Sequence, residues 1–160
     1  MSQTFSKTEQ LLAYISKIHS NVSVTSLMKL CYLVDLISFK KTKGQISTFT
    51  YRRYTFGPFD NEIYSGIKKL ASNDILLSRS DFTTTGDEYV VYSFNDKAEF
   101  DFDQLSKSEI EIIDEVVDSL RGYGAKVLTE LAYKTKPMLK FKATLGGNEH
   151  LNEILDLTAS

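Results

Sequence analysis

The sequence predicts an α+β fold, mainly helical: a compact helical domain with a small antiparallel sheet or hairpin and a winged-helix-like centre. Three observations predict it. Apolar residues recur at helical spacing along several segments, and two of these open with the Ser-x-x-Glu capping signature, at Ser6–Glu9 and Ser106–Glu109. Two short runs rich in aliphatic and aromatic residues, Ile75–Leu77 and Tyr89–Phe94, flank a loop of turn-forming residues, Thr83–Asp87. A helical segment directly precedes those runs, the order of a helix followed by a wing.

The first helix spans Lys7 to His19, where Leu11, Ile15 and Ile18 share a face. The second runs from about Val24 to Lys41. Leu27, Leu30, Cys31, Val34 and Ile37 form its stripe, and further apolar residues cover most other sides, so it belongs at the centre of the fold. Asp35 is the exception there and reads as a surface or hydrogen-bonded position at the edge of the stripe. Cys31 reads as inert packing. Gly44 suits the left-handed C-terminal position, after lysines that complement the helix dipole. Ile46–Phe56 has strand composition, broken at Gly57-Pro58. Asp60 caps a third helix reaching about Ser72.

The two β runs then make a hairpin with a long tip. Asn95–Leu105 is a connector that tucks Phe100 and Phe102 inward. A fourth helix starts near Ser106 and ends before Gly122 and Gly124, and a fifth spans Ala125–Lys134 until Pro137 stops it. A last short helix is expected over Glu149–Leu157. The reading is a single domain over residues 1–160, with a core at about 5–142 and a tail helix within 143–160.

Composition narrows the functional classes. One cysteine excludes an internal disulfide and a cysteine-based zinc site, and two histidines disfavour a histidine-rich one. No apolar run is long enough for a membrane span, and the N-terminus lacks a signal-peptide layout, so the expectation is a cytoplasmic protein. Net charge is −2, which excludes a globally basic nucleic-acid binder. Charge is nonetheless divided: residues 1–80 carry a net +6 and residues 81–160 a net −8. Such asymmetry can steer a charged partner.

A reaction centre needs convergent groups, and the sequence offers no patterned set. His19 and His150 lack a patterned carboxylate or serine neighbour, the glycine pairs lack the phosphate-loop spacing, and the acids of 81–118 do not match a calcium loop. The expectation is a non-enzyme with no cofactor or metal. A DNA-binding regulator of winged-helix type is the alternative, with Lys68, Lys69 and Arg79 meeting phosphates. Against it, the wing carries Asp81, Asp87 and Glu88, which repel a phosphate backbone.

The segment Phe49–Phe59, FTYRRYTFGPF, crowds aromatics and two arginines around a Gly-Pro bend. These residue types dominate protein interfaces. Strand alternation puts Tyr51 and Arg53 on one face and Arg52, Tyr54 and Phe56 on the other. The interface candidates are Tyr51, Arg52, Arg53, Tyr54, Phe56 and Phe59, with Gly57 and Pro58 shaping the bend.

The run from Leu27 to Leu77 resembles the opening of the SocA-like, or Panacea, antitoxin domain, a family found also in prophages and related phage-associated proteins. Lys29, Leu30 and Tyr32 match its K-L-x-Y helix, Gly44 its basic turn, Phe56-Gly57-Pro58-Phe59 its Y-G-P bend, and Ile63, Tyr64 and Leu70 the following helix. Ile113-Asp114 with Val116, and Ala125–Tyr133, resemble its C-terminal half. The resemblance covers roughly residues 5–142. Where the family often has a histidine after the C-terminal helix and an aromatic after a proline, this chain has Tyr133-Lys134 and Pro137-Met138. The resemblance implies a bacterial antitoxin. It would bind and neutralise a toxin protein encoded beside it, by occlusion or as an adaptor presenting the toxin to a ClpX-type protease.

Overall fold

A computed structural model describes residues 4–141, 147 and 150–158. Among them the chain is α+β and mainly helical, with six helices and two small antiparallel sheets.

Helix α1 (Lys7–His19) begins at Ser6. The Ser6 hydroxyl accepts from the Glu9 amide at 3.1 Å and the Glu9 carboxylate accepts from the Ser6 amide at 2.8 Å, the reciprocal box the spacing predicts. Ser20 and Asn21 turn the chain at positive φ into β1 (Val22–Ser23), a two-residue strand the sequence does not signal. Helix α2 (Val24–Thr42) follows, with Ser23 as its N-cap. It is the core helix. Leu27, Met28, Leu30, Cys31, Tyr32 and Val34 are wholly buried, and it packs against α1, β3, α4 and α5. Lys43, not Gly44, takes the left-handed C-cap, at φ 66°. Gly44 O instead accepts from the Ser38 hydroxyl.

The predicted strand over 46–56 is mostly irregular. Only β2 (Arg52–Tyr54) is extended in a ladder, paired with β3 (Gly57–Phe59). Residues 46–51 are held by side chains instead. The Asp35 carboxylate, fully buried on α2, accepts from the amides of Ile46 (2.8 Å) and Ser47 (3.0 Å) and from the hydroxyls of Ser47 (2.5 Å) and Tyr51 (2.6 Å). An anchored acceptor of this kind replaces ladder bonds for a buried loop.

Helix α3 (Glu62–Ser72) starts two residues after Asp60. The Asp60 carboxylate accepts from the amides of Glu62 and Thr50, so it ties the helix start to the preceding loop. Strands β4 (Leu76–Phe82) and β5 (Glu88–Phe94) form the expected hairpin, and β1 pairs on the far side of β5, giving the order β1-β5-β4. The connector brings Phe100 and Phe102 into a ring cluster with Phe5, Tyr14 and Phe94. Helix α4 (Lys107–Ser119) has the second capping box. Helices α5 (Ala125–Tyr133) and α6 (Lys136–Leu139) close the domain. Pro137 ends no helix; it lies in the first turn of α6, where its missing N–H costs nothing.

The expected helix over Glu149–Leu157 is not formed within 150–157, while Glu149 lies outside the described residues. This tail runs along β2. Arg53 N–H donates to Glu153 O at 2.8 Å, Asn152 N–H to Arg53 O at 2.6 Å and Leu155 N–H to Tyr51 O at 2.8 Å. Leu155 and Leu157 are buried beneath it. Satisfying the edge of β2 outweighs a short isolated helix. No helix among the described residues is long and apolar enough to cross a membrane.

Candidate functional site

The β2–β3 hairpin turns tightly. Tyr54 pairs with Gly57, so the turn is Thr55-Phe56, and Gly57-Pro58 forms the returning strand rather than the bend itself. Alternation along β2 is sharp. Tyr51 and Arg53 are buried, Arg52 and Tyr54 are half-buried, and Phe56 at the tip is 64% exposed.

Two of the expected interface residues are therefore interior. The Tyr51 ring lies edge-on to Tyr32 and Phe49, and its hydroxyl donates to Asp35. Arg53 carries its guanidinium over the Tyr133 ring, 5.5 Å from the centroid, and donates to Tyr54 O at 2.6 Å. A weakly hydrated planar cation tolerates this depth because a ring face and a carbonyl receive it. The Arg52 guanidinium donates to Asn152 O in the tail.

The remaining candidates meet at a cleft of about 410 Å³ between the hairpin, the start of α2 and α3. Tyr54, Phe56, Phe59 and Tyr64 supply its rings, and Thr25 and Asn61 its rim. Phe59 stands between Tyr54 and Tyr64, at 5.7 Å from each. Lys29 also lines it. Its side chain is 2% exposed, its ammonium donates to Pro58 O at 2.9 Å and lies 5.6 Å from the centroid of Phe59. Burial lowers the Lys29 pKa to about 8.

Gly57 makes this arrangement possible. Its φ is +109°, and a Cβ there would sit 3.2 Å from Lys29 Cε. Tyr133 closes the other side, its hydroxyl donating to Thr55 O at 2.8 Å. The α2 lysine and the Gly-Pro segment, far apart in sequence, thus build one structure.

The sequence-based candidates include neither Lys29 nor Tyr64. A lysine within a helix apolar on most sides was the available signal for Lys29: such a residue must reach a buried acceptor. Tyr64 is an exposed aromatic on an amphipathic helix, which its spacing alone does not separate from an ordinary surface position. The alternative nucleic-acid residues do not form a free basic patch. Lys69 is bound to Glu9 at 3.1 Å and to Thr4 O, Arg79 faces Asp81 at 3.6 Å, and Lys68 is left exposed at the surface.

A family model described as antitoxin SocA-like, Panacea domain, matches residues 27–137. The chain belongs to this family. The matched span runs from the start of α2 to the start of α6 and contains Lys29, the hairpin and Tyr133. It is narrower than the region of resemblance, since it omits α1; the tail that bonds to β2 lies outside both. Comparison with curated proteins and with solved structures gave no match.

Cys31 is a packing residue. It is wholly buried, and burial together with nearby Asp35 pushes its thiol well above the usual range.

Proposed function

We propose that this Panacea-domain chain acts as an antitoxin by binding a toxin protein, and that the aromatic cleft around Phe56 is the surface it uses. One observation carries the reading: the family's lysine helix and its Gly-Pro segment converge on a cleft whose rim presents exposed Phe56 and Tyr64. Exposed aromatics beside a recess that can seat a partner side chain make an interface centre. Tyr54 and Phe59 give that centre rigid walls, and Lys29 gives it a positive floor. Arg52 extends it toward the tail.

In this reading the chain works by holding another protein, not by turnover. Neutralisation follows from covering the toxin's working surface, and delivery of the toxin to a ClpX-type protease is the finer form of the same activity. The test is co-expression with the toxic product of the neighbouring gene. Growth is expected to be rescued by the wild-type chain and lost with Phe56→Ala combined with Tyr64→Ala. An active toxin that the wild-type chain fails to suppress overturns the reading.

A further inference from the structure

Strand β4 is the long open edge of its sheet among the described residues: it pairs with β5 alone, and the opposite edge is the two-residue β1. Its sequence, Ser78-Arg79-Ser80-Asp81-Phe82, is balanced about Ser80, with a cation one residue before and an anion one residue after. We propose that β4 pairs antiparallel with β4 of a second copy, about a two-fold axis through Ser80, making a homodimer with one continuous sheet.

The backbone fits that register. Asn95 N–H donates to Ile75 O and Thr83 N–H to Asp87 O, which places the odd-numbered residues of the strand in bonded pairs with β5. The amides and carbonyls of Ser78, Ser80 and Phe82 therefore point to the free edge. Phe82 N–H is met there only by its own neighbour's carboxylate, Asp81, at 2.9 Å. With the axis on Ser80, the outward groups meet as doubly bonded pairs: Ser80 with Ser80 of the second copy, and Ser78 with Phe82 in both directions.

The side chains select the same register. Arg79 and Asp81 lie on one face of the strand, within 3.6 Å of each other, and Arg79 also touches Asn21. In the proposed pairing Arg79 falls opposite Asp81 of the second copy, at the closer, non-bonded positions of the ladder. Shifting the axis to Arg79 sets two guanidinium groups face to face, and shifting it to Asp81 sets two carboxylates so. A parallel pairing in register opposes like charges throughout. On the other face Phe82, 62% exposed, meets small Ser78 of the second copy and spreads over the groove toward its Tyr92, the residue that pairs with Ser78. Isologous contact of one strand with itself closes at two copies and leaves neither β4 edge free to propagate.

The experiment is sedimentation equilibrium of the full chain over a wide concentration range. The wild-type chain is expected to dimerise. Arg79→Asp, which opposes two carboxylates, and Asp81→Arg, which opposes two cations, should each weaken the dimer by about tenfold or more, and the double exchange should restore it. Ser80→Pro removes a central outward donor while sparing the backbone ladder to β5, though it also loses the Ser80 hydroxyl's bond to Glu88, and should also yield monomer. Circular dichroism checks that each variant is folded. A chain that stays monomeric at the highest concentration overturns the proposal, as does a dimer indifferent to both single charge reversals or one that the double exchange fails to restore.

Discussion

Lys29 Cε and Gly57 are in near contact: a side-chain carbon at position 57 would stand 3.2 Å from it. The long side chain of a core helix crosses the returning strand of a hairpin and ties down the carbonyl of the next residue, Pro58. Gly57→Ala meets both this crowding and a φ of +109° that L-residues avoid. The expected cost is about 1–3 kcal/mol of unfolding free energy, measured by denaturant titration.

Lys29 gives a pH signature. Its folded pKa of about 8 lies below the ordinary 10.5 because burial disfavours the ammonium. Between those values the unfolded chain holds the proton more strongly, so the Lys29 contribution to stability rises with pH across this window and is constant below about 8. The difference between wild type and Lys29→Met should follow that curve, with an amplitude of at most about 3 kcal/mol. A difference that stays flat from pH 7 to 10.5 would mean the lysine is solvated.

Asp35 anchors the loop before the hairpin. Asp35→Ala leaves two buried amides and two hydroxyls without their acceptor and should cost about 3–5 kcal/mol. Asp35→Asn should cost less, about 1–2 kcal/mol, because the Ser47 and Tyr51 hydroxyls can turn to accept from the amide. Equal losses in the two variants would count against this account of the anchor.

Local signals made helices α1 to α5 legible. Ser6 with Glu9, and Ser106 with Glu109, are capping pairs whose partners lie three residues apart, so their chemistry is complete within one turn. The hairpin β4–β5 is legible for the same reason. What the residue pattern did not reveal depends on distant partners. Nothing near Arg53 announces the Tyr133 ring that receives it, and nothing near Leu155 announces the edge of β2. Strand alternation separated Tyr51 and Arg53 from Arg52, Tyr54 and Phe56 correctly, but which face meets solvent is decided by α2, Asp35 and Tyr133 together. The same enclosure of α2 sets the depth of Lys29, so its place in the cleft is a tertiary fact.

The pairing of the tail with β2 has a measurable consequence. Leu155 is buried against the domain while Leu155 N–H and Arg53 N–H hold the tail to β2. Leu155→Ala should lower stability by about 2 kcal/mol and speed amide hydrogen exchange at Arg53. Unchanged exchange at Arg53 would show that the tail does not protect this edge.

The central claim is that the rim of the Lys29–Gly57 cleft holds a toxin. Its most direct measurement is calorimetric titration of the purified chain with the purified product of the neighbouring gene, repeated with Phe56→Ala and Tyr64→Ala. The account predicts binding by the wild-type chain and a loss of about tenfold or more in each variant, with folding unchanged. Wild-type affinity retained in both variants would contradict it.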